Sequence, residues 1–427
     1  MNGSVIPSRS TPGTRIVPTG RSGKLTGFAR RAVFSHLRKI ERGSITVIDG
    51  NEHHAFGKAG GLAATITVHD PAFYTDMAFG GSIGAGEAYL AGFWSADDLV
   101  ALVRIIVLNR RVLMDIEGGL AALMQPLHWL MHNLRKNTQE GSRKNISAHY
   151  DLGNDFYRLW LDRTMTYSCN IFDRDDATLE EAATAKYDRI CRKLALGPKD
   201  HVLEIGTGWG GFAVHAVKRY GCRVTTTTIS RQQHDWAKEL FAREGVADRV
   251  QLLFEDYREL TGKYDKLVSI EMIEAVGHHF LDTYLKVCAD RLKEDGMITL
   301  QAITIIDQAY EAQIRSVDFI RRYIFPGGFI PSITAITRSL AKVTDLRLFH
   351  LEDLTPHYAR TLHVWRERFF ANLDAVRKLG YPETFIRMWE YYLSYCEGAF
   401  RERYIGSVQM VLTKPDCRST SLLPMLQ

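Results

Sequence analysis

Long hydrophobic runs are missing from this 427-residue sequence. No stretch approaches the roughly 18 uncharged apolar residues of a membrane-spanning helix, because charged residues interrupt each candidate, as Arg104 and Arg110 do around residues 105–108. The first 24 residues are rich in Ser, Gly, Pro and Arg and lack the apolar segment of a signal peptide. We therefore expect a cytoplasmic protein in which any contact with the inner face of a membrane is peripheral. An organellar transit peptide stays open as the alternative for the basic N-terminal segment.

Paired cysteines are missing as well. The six cysteines are scattered and form no CxxC pair, which argues against a zinc site or a disulfide framework and favours a reducing compartment. No metal is therefore expected. The cysteines are Cys169, Cys191, Cys222, Cys288, Cys396 and Cys417.

Positive charge is concentrated at the amino terminus. The net charge is +5 overall, yet residues 1–42 contain nine basic residues and one acidic residue, Glu41. Within them, residues 28–40 have apolar residues at helical spacing, which predicts a basic amphipathic helix after a disordered tail. Such a helix either lies on an anionic bilayer or packs on the next domain. We expect no nucleic-acid partner, and a homodimer stays open. The charged positions of the helix are Arg30, Arg31, Arg38 and Lys39.

The rest of the chain divides into two units, with a boundary near Glu140. Residues 43–140 begin with two β-branched segments and a glycine cluster at 80–86, followed by a helical stretch from about Ser95 that Pro126 interrupts. From residue 141 onward strands alternate with helices, which predicts an α/β fold with a parallel sheet. The predicted strands are 44–49 and 62–68 in the first unit, then 201–205, 222–229, 250–254, 266–271 and 297–303, with 410–413 as a late strand of the same sheet.

A glycine-rich turn follows the first strand of the second unit. Residues 202–211 read VLEIGTGWGG, which also satisfies the GxGxxG pattern of dinucleotide-binding enzymes. The next strand ends in Thr225-Thr226-Thr227-Thr228 and carries no acid for an NAD ribose, whereas Glu255-Asp256-Tyr257 follows the third strand. This arrangement favours S-adenosylmethionine over a nicotinamide cofactor.

Two segments ahead of the sheet are more specific. They read AHYDLGNDFY at 148–157 and TYSC at 166–169. With the glycine turn, they resemble the cyclopropane-fatty-acyl-phospholipid synthase family, which includes the mycolic acid cyclopropane synthases. The resemblance covers about 141–415, and residues 43–140 resemble more loosely the lipid-associated domain of longer bacterial members. It continues through TIS at 228–230, DYR at 256–258, IEAVG at 273–277, IFPGG at 324–328 and HYARTL at 357–362.

The resemblance implies a class I methyltransferase with a Rossmann-like, doubly wound sheet and a smaller N-terminal α+β domain. It implies transfer of a methylene group from S-adenosylmethionine to the cis double bond of an unsaturated acyl chain in a membrane phospholipid. The expected cofactor-binding residues are Tyr167, Ser168, Glu204, Gly206, Gly208, Thr228, Gln233, Asp256 and Tyr257.

Attack of an alkene on the sulfonium methyl leaves a carbocation, and closing a ring then requires a base that removes a proton from the added methyl. The resemblance implies bicarbonate as this base. Its expected holders are Cys169, Glu274, the backbone of Ile303, and Tyr358. Gln301 replaces the histidine of the family's Leu-His-Thr-Ile pattern, so it can donate a hydrogen bond but cannot carry a proton.

Three functions stay open at this point. The first is cyclopropanation. The second keeps the methyl transfer but resolves the cation into a methylene or methyl-branched fatty acid. The third is a non-catalytic lipid-binding protein on a vestigial fold, against which the intact Glu204, Gly206, Gly208, Glu274 and Tyr358 weigh.

Overall fold

The computed structural model describes residues 23–118 and 152–420. The predicted tail, Pro126, the boundary near Glu140 and the first part of the 148–157 motif lie outside these ranges. No helix within them is long and apolar enough to cross a membrane.

The N-terminal unit is a four-stranded mixed sheet with helices beside it. The strand order is β2-β1-β3-β4; β1 runs antiparallel to β2 and parallel to β3, which is antiparallel to β4. Both predicted strands are confirmed, and two were not predicted. The elements are α1 Gly23–Leu37, β1 Ser44–Asp49, β2 Glu52–Gly57, β3 Ala63–Val68, α2 Ala72–Leu90, β4 Trp94–Ala96, α3 Leu99–Leu108 and α4 Arg110–Gly118.

The helical stretch predicted from about Ser95 is confirmed as α3 and α4 up to residue 118. The placement of the glycine cluster in the β-containing segment before it is wrong, because the cluster lies inside the unpredicted helix α2. Its glycines serve packing: a Cβ at Gly84 would lie 1.9 Å from the Asp76 carbonyl oxygen, and one at Gly86 would lie 2.5 Å from the Phe319 ring. The helix is kinked at Gly81, where φ is 58° and ψ is −141°. Glycine therefore marks close contacts and a bend here, not a loop.

The basic helix α1 packs on its own unit. Ala29, Val33, Phe34 and Leu37 are buried, and the Phe34 ring lies 5.1 Å from that of Phe56. Arg30, on the same helix, forms an ion pair with Asp49 at 2.9 Å. Of the two alternatives for this helix, these four buried residues therefore support internal packing on the N-terminal unit.

The second unit is built on a seven-stranded sheet in the order β10-β11-β9-β8-β5-β6-β7. The five strands from β7 to β9 are parallel, while β11 is antiparallel to both neighbours. The predicted strands are confirmed; the late strand lies within the sheet, since the unpredicted β10 forms the edge. The strands are β5 His201–Ile205, β6 Arg223–Thr227, β7 Val250–Leu253, β8 Tyr264–Ile270, β9 Leu292–Ile305, β10 Arg347–Asp353 and β11 Ile405–Thr413.

Helices cover both faces of this sheet and complete the fold. They are α5 Asn154–Arg158, α6 Leu179–Lys193, α7 Gly211–Tyr220, α8 Arg231–Arg243, α9 Leu281–Asp290, α10 Asp307–Arg315, α11 Phe319–Tyr323, α12 Ile333–Val343, α13 Thr355–Ala371, α14 Leu373–Lys378 and α15 Glu383–Arg401. Because chain order reverses between β5 and β8, a crevice forms at their carboxyl ends, where open α/β sheets bind ligands.

Helix α15 joins the two units. A Cβ at Gly398 would lie 2.7 Å from a methyl carbon of Val103, so only glycine lets α15 pack this closely against α3. Arg104 and Glu402 add an ion pair at 2.6 Å. One apolar core continues from Ala29 to Phe400, which fixes the N-terminal unit beside the crevice.

Candidate active site

A cavity of about 670 Å³ opens at the carboxyl ends of the central strands. One end is polar and is formed by the glycine turn and the loops after β6, β7 and β8. The rest of the lining comes largely from α11, α13, α15 and the adjoining loops and is mostly apolar, although Asp318 and Arg321 also belong to it. Apolar lining residues include Ile305, Ile320, Phe325, Leu362, Phe400 and Ile405. A cavity of this kind accommodates a polar cofactor and an apolar chain end to end.

The two glycines of the turn have different reasons to be glycine. Both have left-handed backbone, with φ at 98° for Gly206 and 53° for Gly208. A Cβ at Gly206 would lie 2.3 Å from Cγ of Met272, whereas at Gly208 no atom of the described residues lies within 4 Å. Gly206 therefore serves internal packing, and Gly208 leaves its face open to the cavity.

Thr228 and Gln233 meet at the cavity wall. The Thr228 hydroxyl donates to the Gln233 side-chain carbonyl at 2.9 Å, and Ser230 between them caps α8. Because the side-chain carbonyl of Gln233 accepts this hydrogen bond, its NH₂ group is the part available to a ligand. Both residues are buried, so the pair is preorganised.

Buried charge lies under the polar end. Glu204 accepts a hydrogen bond from Thr226 at 2.6 Å, and burial raises its pKa to about 8. Lys186 is fully buried, donates to the Ser168 hydroxyl at 2.7 Å, and has its pKa lowered to about 8, chiefly by burial. Lys186 thus places a cation beneath the cofactor end of the cavity, near several carboxylates.

Aromatic and acidic groups complete this end. Tyr167 places its hydroxyl 3.0 Å from that of Tyr392. The Asp256 carboxylate is bound by Arg258 through Nε and Nη2, both at 2.7 Å, and the Tyr257 ring lies 5.1 Å from that of Tyr284. All nine predicted cofactor residues therefore line one cavity; that they contact the cofactor stays a prediction.

The residues predicted for the base converge on a side chain that the sequence argument missed. Glu271 accepts hydrogen bonds from the backbone N–H of Cys169 at 2.9 Å, from the Gln301 amide at 2.9 Å and from the Tyr358 hydroxyl at 2.8 Å. Glu271 and Tyr358 line the cavity, while Cys169 and Gln301 are fully buried behind them. The Cys169 thiol faces the carbonyls of Asn170 and Leu354, and burial raises its pKa well above the usual value. Cys169 thus contributes its backbone.

Two signals mark Glu271. It follows β8 directly, and acids at the carboxyl ends of parallel strands lie at the ligand crevice, which the sequence alone could have indicated. Its φ of 52° is in the left-handed region, which costs a glutamate of order 1–3 kcal/mol and occurs mostly at functional sites.

Glu274 lies beside it. Its Oε1 accepts from the Ile303 backbone N–H, and its Oε2 is buried without a hydrogen-bond partner among the described residues. Burial and the neighbouring charge of Glu271 raise its pKa well above the usual value. Burial also raises the pKa of Glu271, but Gln301, the Cys169 N–H, Lys186 and Tyr358 oppose the rise. The pair therefore holds its proton on Glu274 and its charge on Glu271.

These contacts bear on the expected bicarbonate. Its predicted donors are the groups that donate to Glu271 and, for the Ile303 N–H, to Glu274. A second anion at the same donors would also lie against the Glu271 carboxylate, with like charges in contact. The residues present do not fit bicarbonate.

Comparison with known proteins agrees with the geometry. Residues 137–410 match the family model of mycolic acid cyclopropane synthetase. This chain belongs to that family. Among similar proteins, tuberculostearic acid methyltransferase UfaA1 of Mycobacterium tuberculosis is 37% identical over 84% of this chain and 86% of its own length. Cyclopropane-fatty-acyl-phospholipid synthase of Escherichia coli K12 is 36% identical over 83% and 89%.

Solved structures extend the match to the fold. The cyclopropane synthase MmaA2 of Mycobacterium tuberculosis superposes with a TM-score of 0.59 at 33% identity, covering 64% of this chain and 98% of that protein. Mycolic acid cyclopropane synthase CmaA1, in complex with SAH and CTAB, gives 0.60 at 33% identity over the same shares. The predicted class I fold and family are confirmed, and the chain is an S-adenosylmethionine-dependent methyltransferase.

Proposed function

We propose that this methyltransferase acts on the cis double bond of an unsaturated acyl chain in a phospholipid and closes a cyclopropane ring. The observation that carries the proposal is that the predicted cofactor residues and many apolar side chains line one cavity, with Glu271, Glu274 and Tyr358 in the same lining. An acyl chain against those apolar side chains would place its double bond near the sulfonium methyl in an environment from which water is excluded.

The same walls suit the cation that methyl transfer creates. A carbocation in water is trapped at once, whereas an apolar slot leaves it only the groups on its wall. Here these are one charged carboxylate and the aromatic ring of Tyr358, held 4.4 Å from that of Phe400. Both attract positive charge.

Relatives support this class of reaction and a second candidate. The name of the Escherichia coli relative specifies a cyclopropane on a fatty-acyl phospholipid. The name of UfaA1 specifies methylation to tuberculostearic acid. Both outcomes begin with the same methyl transfer, so the second candidate is loss of a different proton from the cation at the same site, which gives a methylene group. A separate reductant would then have to reduce that group to a methyl branch.

We expect the purified protein, incubated with S-adenosylmethionine labelled as CD₃ and with vesicles of cis-unsaturated phospholipid, to yield labelled acyl chains that retain two deuterium atoms. Gas chromatography with mass spectrometry checks the product after mild hydrogenation, which reduces a methylene but leaves a ring. Vesicles of saturated phospholipid are the control and should stay unlabelled. A product that gains hydrogen would establish the second candidate, and unlabelled unsaturated lipid would refute both.

We also propose that the protein takes its substrate from a phospholipid bilayer. On α1, Leu25 and Phe28 are 41% and 48% exposed, one turn from the exposed Arg31. Met114 is 69% exposed and lines the cavity, so the N-terminal unit reaches its rim. Apolar side chains beside a cation suit the surface of an anionic leaflet.

Replacing Phe28 by Asp and Arg31 by Glu should lower sedimentation with anionic vesicles severalfold at low salt, because the double variant removes both attractions. The difference should shrink as salt rises, since each charge is worth about 1 kcal/mol near such a surface and is screened beyond a Debye length. The control is Ser35→Glu, an exposed change on the same helix. Equal sedimentation of double variant and wild type would place membrane contact elsewhere.

A further inference from the structure

We propose that the carboxylate of Glu271 is the base that takes the proton from the added methyl group, in place of a bound bicarbonate. This inference rests on the proposed function, because it assigns the deprotonation within that reaction. It rests on geometry in the first place: the side chain occupies the donors that an exchangeable anion would need.

Three donors from three parts of the fold fix the carboxylate. The Cys169 N–H comes from the loop before α6, the Gln301 amide from β9, and the Tyr358 hydroxyl from α13. Cys169 and Gln301 approach Oε1, and Tyr358 approaches Oε2. A carboxylate held through both oxygens and facing the cavity is preorganised to accept a proton from a ligand there.

The orientation of the Gln301 amide is also determined. Its carbonyl accepts from the Gln409 amide at 2.9 Å, and the Gln409 carbonyl accepts from Lys193 at 2.7 Å. Because Lys193 can only donate, the Gln409 carbonyl must face Lys193 and the Gln409 NH₂ group must face Gln301. The Gln301 carbonyl then faces Gln409, so its NH₂ group points toward Glu271. Gln301 is thus a positioning residue that presents a donor to the base.

The charges around Glu271 favour its ionised form. Its neighbour Glu274 holds a proton, so the two carboxyls together carry one negative charge. The buried Lys186 supplies a positive charge nearby. The site therefore presents one anion to the cation formed by methyl transfer, and that anion is part of the chain.

In the proposed reaction, methyl transfer precedes deprotonation. The π electrons of the alkene form a bond to the methyl carbon while the bond from that carbon to sulfur breaks, which yields S-adenosylhomocysteine and a carbocation. A C–H bond of the new methyl then breaks. Its electron pair forms the second ring bond to the cationic carbon, and its proton goes to Glu271, which later releases it to water.

The test uses the purified full chain with unsaturated phospholipid vesicles in buffer freed of carbon dioxide, with sodium bicarbonate added back in parallel. Wild-type turnover should be the same in both within twofold. Glu271→Gly suits the left-handed backbone and frees the three donors. Its turnover should fall about 100-fold or more without bicarbonate, as expected for loss of a general base, and rise at least tenfold with it.

Glu271→Gln should lose activity to the same extent without recovery, because its amide fills the space that bicarbonate would take. The control is Glu390→Gln, a half-buried carboxyl outside the cavity whose pKa burial also raises; its turnover should match wild type. Affinity for S-adenosylhomocysteine, measured by calorimetry, should stay within threefold in all four proteins.

Calorimetric titration with bicarbonate in the presence of S-adenosylhomocysteine gives a readout that needs no turnover. Bicarbonate should bind to Glu271→Gly and not to wild type. Binding to wild type, dependence of wild-type turnover on bicarbonate, or full activity of Glu271→Gly without it would each overturn the assignment. If wild type labels no lipid, the proposed function fails, and the titration still decides whether Glu271 occupies the anion site.

Discussion

Gly208→Val should abolish binding of S-adenosylmethionine in a protein that still folds. The open face of Gly208 lies on the wall of the cavity, and no atom of the described residues lies within 4 Å of a Cβ there. A valine side chain would therefore enter space that the cofactor needs. The cofactor could avoid it only by moving away from the glycine turn and losing its contacts there, so its affinity for the protein should fall more than 100-fold. Calorimetry with S-adenosylhomocysteine checks the loss.

The backbone strain of this change needs a matched control. Gly245 also has a left-handed backbone, with φ at 66°, has open space at its Cβ among the described residues, and does not line the cavity. Gly245→Val should lower the melting temperature about as much as Gly208→Val, since both place a β-branched residue in the left-handed region. It should leave cofactor affinity unchanged. Affinity of Gly208→Val within threefold of wild type would show that the cofactor lies elsewhere.

Secondary structure was predictable where the local composition is typical of the element that forms. Strands β5, β6 and β8 are short, β-branched or apolar runs that end in glycine, polar or acidic residues, and all three were predicted. Strand β10 was missed because it is an edge strand: Arg347, Leu348 and Phe349 are exposed, so its pattern lacks the alternation of a half-buried strand. Helix α2 was missed because glycine usually marks turns, whereas here Gly84 packs against Asp76 of the same helix and Gly86 packs against Phe319, which is distant in sequence.

The site could be predicted residue by residue only where one residue type performs the task. Gly206 and Gly208 are of this kind, because both have the left-handed backbone that favours glycine and Gly206 also has no room for a Cβ. Cys169 was predicted through its side chain, yet the structure uses its backbone N–H, which any residue except proline has. The contacts of Glu271 join residues 102, 30 and 87 positions apart, and no local pattern shows such a meeting.

The glutamine at position 301, where the family pattern has histidine, now has a physical explanation. A histidine can donate to an anion and also carry a proton, whereas glutamine can only donate. With Glu271 supplying the proton acceptor, a donor of fixed orientation is what the position requires. Gln301 and Glu271 therefore act together, and removing the Gln301 amide should change the pKa of the Glu271 carboxyl.

Gln301→Leu should move the acid limb of the turnover profile to higher pH. Glu271 acts in its ionised form, and the Gln301 hydrogen bond opposes the rise in its pKa caused by burial. Without that bond the pKa rises further, so the carboxylate is protonated over a wider range of low pH. A hydrogen bond to a charged group is worth about 1.5–3 kcal/mol, so the midpoint of the acid limb should rise by about one to two pH units. Turnover on the acid side of the wild-type midpoint should fall about tenfold to a hundredfold, and it should recover as pH rises.

The control is Gln301→His, because imidazole can still donate to Glu271; its acid limb should stay close to that of wild type. The leucine variant also leaves the Gln409 amide without its acceptor, which should destabilise the fold by about 1–3 kcal/mol and lower the melting temperature. Lost stability alone would lower turnover equally at every pH. A uniform loss across the profile, with the acid limb unmoved, would mean that Gln301 supports the fold but does not set the titration of Glu271. The other charged and titratable neighbours of Glu271 are Glu274, Lys186, Tyr358, Tyr392 and Cys169.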